Sequence, residues 1–200
     1  MKRGAAHRHL ARDPVMRRLI GRHGPCALAP DRQSPYEAPS RAVAHQQLNG
    51  RAARTILARF VALCGAGRFP KPADVVAVRA ATLRRAGFSR PKARSLKDIA
   101  RHALKGTVPT RRAAARLGDD AIVERLVAIR GVGRWTVEML LIFRLGRPDV
   151  LPADDYGIRK GFMIAFDKRD MPAPKDVIAH GAKWAPYRTV ASWYLWRAAD

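Results

Sequence analysis

Cysteine is scarce in this chain: Cys26 and Cys64 are the only two among 200 residues. Two isolated thiols build neither a disulfide framework nor a four-cysteine metal site, and they read as ordinary thiols of a reducing compartment. Carboxylates are scarce too, with 16 Asp and Glu against 39 Lys and Arg. No apolar run reaches membrane-spanning length, and the first residues lack the apolar core of a secretory leader. Neither a span nor a leader is therefore expected, and the protein is assigned to the cytosol. Sustained period-two alternation and an Asn-Gly hairpin are also missing, so a sheet is not expected. There is no internal repeat and no low-complexity tract.

Positive charge is what the chain has in quantity. The formal net charge is +23, and the arginines are spread over most of the chain rather than gathered in a tail. Such a field favours a polyanionic partner, nucleic acid first. Arg-rich codon usage would give the same composition without such a partner. With 48% hydrophobic residues a proper core is affordable, and the length suits one large domain or two small lobes sharing a cleft.

Periodicity and punctuation predict an all-α fold of ten or more helices. Residues 1–12 read as a basic, frayed arm, and 13–200 as the folded domain. Asp13-Pro14 opens a helix toward His23. Ser34-Pro35 opens another toward Leu48, with Glu37 completing a capping box. Arg51 to Cys64 is amphipathic, with Ile56, Leu57, Phe60, Val61 and Leu63 on its apolar face. Further helices are expected over 74–78, 82–86, 89–104 and 110–117. Asp119 or Asp120 caps a helix over 121–130, a very apolar helix follows over 134–145, and three more cover 155–166, 172–180 and 188–197.

The stretch Leu126-Val127-Ala128-Ile129-Arg130-Gly131-Val132-Gly133-Arg134-Trp135-Thr136 carries the most information. One apolar helix stops at Gly-Val-Gly and a second starts at once. A tight Gly-x-Gly turn aims backbone N–H groups outward at a helix start, an arrangement that binds phosphate without a side chain. Asp155, in Pro152-Ala153-Asp154-Asp155-Tyr156, follows 22 residues after Gly133. A carboxylate beside a phosphate clamp repels a nucleic acid, so mere binding does not call for it. It is useful where positive charge develops on the nucleotide during a reaction. A plain interhelical turn and an ordinary helix N-cap would leave the same residues.

These pieces occur together with Ser34-Pro35-Tyr36-Glu37 leading to Ala44-His45-Gln46-Gln47-Leu48, and with Trp184-Ala185-Pro186-Tyr187-Arg188 and Trp193-Tyr194-Leu195-Trp196 near the end. The combination, from about Asp13 to Asp200, resembles the helix-hairpin-helix DNA glycosylases, and among them the bacterial 3-methyladenine DNA glycosylase II type. The resemblance implies an all-α, two-lobed glycosylase fold with the hairpin at about 121–145. The N-terminal β domain of larger bacterial relatives is not expected, and neither is the iron–sulfur cluster that some members hold on four cysteines.

The resemblance also implies site residues. Asp155 takes the catalytic position and Asp154 competes for it. Trp135, Met139, Tyr156 and Trp196 fall on the base pocket, whereas Trp184 and Trp193 read as core. Gln47 takes the place of the wedge that fills the stack after a base is extruded, and Asn49 lies near the minor groove. The N–H groups of Gly131, Gly133 and Thr136 are expected to hold phosphate. The backbone carbonyls of Val127, Ile129 and Val132 match positions that hold Na+ or K+ in similar proteins. Arg90, Lys92 and Arg94 fit phosphate contacts or a solvated face, and His45 and His102 carry no role. Trp135 stands where lyase-type members place a lysine, so a Schiff base is excluded there and water is the expected nucleophile.

The expected activity is monofunctional hydrolysis of the N-glycosidic bond of alkylated purines, 3-methyladenine chiefly and 7-methylguanine with it, in damaged double-stranded DNA. No cofactor is required, no membrane is involved, and a monomer in the bacterial cytosol on the chromosome is expected. A helix-hairpin-helix DNA-binding protein without catalysis, or a glycosylase for deaminated bases such as hypoxanthine, are the competing readings.

Overall fold

Short polar caps, in places followed by proline, start several helices of this protein, among them those opened by Asp13, Asn49, Ser89 and Asp155. The structure, a computed structural model, describes residues 3–31 and 33–200, and among these no residue is in a strand. In chain order the helices are α1 (Arg3–Leu10), α2 (Pro14–His23), α3 (Glu37–His45), α4 (Gly50–Cys64), α5 (Pro72–Ala77), α6 (Ala80–Ala86), α7 (Arg90–Leu104) and α8 (Arg111–Ala114). There follow α9 (Asp119–Val127), α10 (Arg134–Leu140), a π turn over Leu141–Leu145, α11 (Tyr156–Ala165), α12 (Pro174–Gly181), a 3-10 turn over Ala182–Trp184, and α13 (Arg188–Ala199). The chain forms two compact units, one of residues 1–31 with 141–200 and the other of residues 32–140.

The central unit is built on α4, α7 and the α9–α10 hairpin. Leu57 and Phe60 of α4, Leu96 and Ile99 of α7, and Ile122 and Leu126 of α9 are buried. Phe60 meets Phe88 and Phe69 edge to face, at 5.4 and 5.7 Å between centroids. Asn49 caps α4 by accepting the N–H of Ala52 at 2.9 Å, so the helix begins at Gly50, one residue before the expected Arg51. Leu63, expected on the buried face of α4, is exposed because that helix turns Ala53, Leu57 and Phe60 inward instead. Ser34 does accept the N–H of Glu37 at 3.0 Å, but regular helix begins only at Glu37. Gly118, not Asp119 or Asp120, occupies the cap of α9, and both acids fall in its first turn, where the helix dipole favours them. The helix expected over 134–145 keeps α-geometry only to Leu140; the π turn follows, and Gly146, at φ 66°, ends it.

The other unit joins the two ends of the chain. Phe162 of α11 and Val190, Tyr194 and Leu195 of α13 form its core with Trp184, and Trp193 is buried against it. Gly161 lets α11 and α13 approach, since a Cβ there would collide with the Leu195 carbonyl. Asp13 caps α2 through the Val15 N–H at 2.9 Å and also accepts from Trp184 Nε1 at 3.0 Å.

The basic arm is not frayed over its described part. Residues Arg3–Leu10 form α1, which buries Ala6 and Leu10 in this core. His7 Nε2 lies 3.0 Å from the Tyr194 hydroxyl and accepts the Cys26 N–H at 3.3 Å. The alanine and leucine of a weakly patterned segment find an existing apolar surface, which a local reading of the segment does not reveal. Met1 and Lys2 of that arm lie outside the described residues.

Candidate active site and nucleic-acid interface

Asp155 stands at the N-cap of α11 in extended backbone, φ −65° and ψ 128°. The chain reaches it through a turn in which the Asp155 N–H donates to the Pro152 carbonyl at 3.0 Å. Its Oδ1 accepts the Ile158 N–H at 2.9 Å and the Trp196 Nε1–H at 2.8 Å. The cap and the indole therefore fix the direction of the carboxylate from two sides. Trp196 comes from α13 and is held by stacking on Phe143, 5.6 Å between centroids and 26° between planes. Gly157 leaves room for it: a Cβ there would lie 2.8 Å from Trp196 Cδ1. Asp154 is exposed and Asp155 half-buried. Of the two acids, Asp155 is the one given a set orientation.

Tyr156, first residue of α11, is 68% exposed beside this carboxylate. Trp135, at 48% exposure, and the half-buried Met139 lie on α10 in the other unit. The four expected pocket residues thus divide between the units, and only Tyr156 and Trp196 are gathered with Asp155 by one of them.

The α9–α10 hairpin belongs to the central unit. Gly131 has φ +79°, a left-handed conformation that favours glycine, and a Cβ on it would lie 2.8 Å from Ser95 Cβ. Gly133 is different, because its φ is ordinary and a Cβ would meet nothing within 4 Å. Neither backbone nor packing demands glycine there. The N–H groups of Gly131, Gly133 and Thr136 donate to no protein acceptor among the described residues. The carbonyls of Val127 and Val132 accept nothing there either, and that of Ile129 accepts the Val132 N–H at 3.1 Å. Val127 is an exposed residue, and Ile129 and Val132 are buried. Three neutral carbonyl oxygens are the donor type that suits Na+ or K+, so the residues fit the expected cation.

The loop between α3 and α4 carries Gln46, Gln47, Leu48 and Asn49, all exposed. Gln47 has φ +56°, one of three non-glycine residues with positive φ among those described. Gln46 Nε2 donates to the Gly131 carbonyl at 3.1 Å, joining this loop to the hairpin turn. Lys92 of α7 donates from Nζ to the carbonyls of Gln46 at 2.6 Å and Ala44 at 3.1 Å. Burial holds its ammonium below the ordinary lysine range.

Sequence reasoning missed two residues here. Leu48 is an apolar side chain 40% exposed at the loop tip, legible as an unburied leucine beside the wedge. Lys92 is bound into the loop rather than lying on a solvated face, and nothing in its sequence neighbourhood signals that.

Residues 40–186 match the family model of the HhH-GPD superfamily base excision DNA repair proteins. DNA-3-methyladenine glycosylase 1 of Schizosaccharomyces pombe is 42% identical over 182 residues, covering 91% of this chain and 79% of the relative. The alkylbase DNA glycosidase-like protein mag2 of the same yeast is 34% identical over 195 residues, covering 96% of this chain and 92% of the relative. Among solved structures, the S. pombe 3-methyladenine DNA glycosylase Mag1 in complex with abasic DNA superposes with a TM-score of 0.84 over 96% of this chain and 95% of that one. DNA-3-methyladenine glycosidase from Bacillus halodurans, 33% identical, gives a TM-score of 0.87 over 96% of this chain and 87% of its own. Yeast and bacterial proteins match alike, so the narrower bacterial type is not singled out. The model match, the identities and the coverage together establish that this chain belongs to the HhH-GPD superfamily of base excision DNA repair proteins.

Proposed function

We propose that the protein is a monofunctional DNA glycosylase that hydrolyses the N-glycosidic bond of alkylated purines, 3-methyladenine first and 7-methylguanine with it, in duplex DNA. The observation that carries the reading is the orientation of Asp155, set by the Ile158 N–H and the Trp196 indole, in a chain whose relatives carry the name DNA-3-methyladenine glycosylase.

Alkylation makes the purine a good leaving group. As the C1′–N bond breaks, its electron pair stays on the base nitrogen and positive charge develops on the deoxyribose. Asp155 stabilises that oxocarbenium-like sugar. Water then forms the C1′–O bond and yields its proton to the carboxylate or to solvent, leaving an abasic site and free base. Trp135 presents no amine, so the strand is not cut by a lyase step. We assign the flipped base to the ring of Tyr156 beside Asp155, where a cationic purine gains cation–π attraction.

Gly131, Gly133 and Thr136 would grip the DNA backbone by their N–H groups. The carbonyls of Val127, Ile129 and Val132 would hold Na+ or K+, which adds positive charge beside the phosphate. Gln47 or Leu48 fills the vacated stack, with Asn49 at the groove. No redox cofactor or catalytic metal enters. The protein acts on chromosomal DNA as a monomer without a membrane partner, in a bacterial cytosol.

Release of free base from methylated duplex DNA, wild type against Asp155→Asn, tests this. Free 3-methyladenine from wild type, at least a hundredfold less from the variant, unchanged DNA binding and no strand nicking are expected. Base release undiminished in Asp155→Asn, or a wild type that binds DNA and releases nothing, would sink it.

A further inference from the structure

One face of α7 braces two turns of the central unit. Lys92 and Ser95 lie three residues apart on that helix and so share a face. Lys92 Nζ takes the carbonyls of Ala44 and Gln46 at 3.1 and 2.6 Å, at the C-terminal end of α3, where carbonyls lack helical partners and a cation is favoured. Ser95 is buried directly against Gly131. Gln46 closes the arrangement by donating from Nε2 to the Gly131 carbonyl. Between the last helical residue of α3 and the Asn49 cap of α4, Gln47 sits at φ +56°, a conformation that an L residue holds only when its surroundings over-determine it. A cavity of about 510 Å³ lined by Gln46, Gln47, Ser89, Pro91, Lys92 and Ser95 borders the same loop.

A lysine that contacts phosphate extends its ammonium into solvent. Here the ammonium is committed to two main-chain carbonyls, and only one of its three donors remains. We propose that Lys92 is a positioning residue of the base-flipping step: it holds the end of α3 so that Gln47 and Leu48 stand ready to enter the DNA stack, while Gln46 couples that loop to the hairpin turn. The proposal rests on the DNA glycosylase reading. It makes grip at Gly131 and insertion at Gln47 and Leu48 parts of one rigid tool.

The test compares wild type with Lys92→Met, which keeps the stem and removes the donors, and with Lys92→Arg, which restores them. Three quantities are measured: the salt dependence of binding to duplex DNA carrying a stable abasic analogue, the fluorescence of 2-aminopurine placed opposite that site, and single-turnover base release from methylated duplex. Lys92→Met is expected to leave the slope of log K against log salt unchanged, to lose most of the 2-aminopurine response, and to release base at least tenfold more slowly. Lys92→Arg recovers most of both.

A slope flattened by about 0.9 with the fluorescence response intact would make Lys92 a phosphate contact and overturn the proposal. Unchanged fluorescence and unchanged release in Lys92→Met would overturn it as well. Where Lys92→Met melts too low to assay, Gln46→Leu, which cuts the tie to Gly131, carries the same expectation. A wild type that releases no base defeats the glycosylase reading, whereas the fluorescence arm still decides the positioning role by itself.

Discussion

Trp196 shows how a side chain's role depends on one polar atom. Its ring suits a pocket wall, which is how sequence resemblance reads it, but its Nε1–H is given to Asp155 Oδ1 at 2.8 Å. A hydrogen bond to an ionised carboxylate contributes about 1.5–3 kcal/mol, and here its geometry also sets where the charge points. Trp196→Phe keeps the stack on Phe143 and removes only the donor. We expect single-turnover base release to fall about tenfold or more with abasic-DNA affinity unchanged, and by a similar factor for 3-methyladenine and 7-methylguanine, because the loss acts on the sugar side. A loss that differs several-fold between the two lesions would instead make the indole a wall of the base pocket. In an Asp155→Asn background the same substitution should cost little, since residues acting as a unit are not additive.

At the scale of elements, the two glycines of the hairpin separate folding from binding. Gly131 is required by its own chain: φ is +79° and the space for a Cβ is taken by Ser95. Gly131→Ala should destabilise the protein by about 2 kcal/mol, from the left-handed backbone and the contact together. Gly133 has neither constraint. Gly133→Ala should therefore leave the melting temperature unchanged and still weaken binding to abasic duplex, because only an approaching phosphate meets the new methyl. Equal melting losses in both variants, or Gly133→Ala binding as well as wild type, would refute that division.

Much of this was legible in the sequence. Gly-Val-Gly between apolar runs, Ser89 before α7 and Asp155 before α11 are local signals, and local hydrogen bonds realise the two caps. What was not legible depends on long-range partners: the burial of Ala6 and Leu10 against residues from the far end of the chain, the commitment of Lys92 to α3, and the indole on Asp155 from 41 residues away. Leu63 in α4 shows the limit of periodicity alone, since a five-residue apolar face names more residues than the packing uses.

For the molecule as a whole, the unit that carries Asp155 is closed by contacts between chain ends, and these titrate. Asp13, 6% exposed, accepts from Trp184 Nε1 and pairs with Lys183 Nζ at 3.0 Å. Burial pushes its carboxyl up, but the hydrogen bonds from Trp184, Lys183 and the Val15 N–H outweigh this, and the net shift is below the ordinary 3.8. Its stabilisation is thus fully present above pH 3.8 and is lost as pH falls through the lower folded value. His180 packs among Phe162, Phe166 and Trp184. Burial first, then the Lys183 and Lys168 charges, hold it below the ordinary 6.5 against the pull of Asp13. Neutral His180 is favoured in the fold, so its contribution is present above pH 6.5 and fades as pH drops through its folded value. Acid should therefore weaken this unit in two windows, the first below 6.5 and the second below 3.8. His180→Phe, which keeps an aromatic ring in the site, should flatten the melting temperature across the first window and leave the second. Asp13→Asn should lower the melting temperature near pH 7, by roughly 4–8 °C for a loss of about 2 kcal/mol, with the gap to wild type closing as pH approaches 2. A melting profile for Asp13→Asn that runs parallel to wild type down to that pH would show that the carboxylate is not what holds the two ends of the chain together.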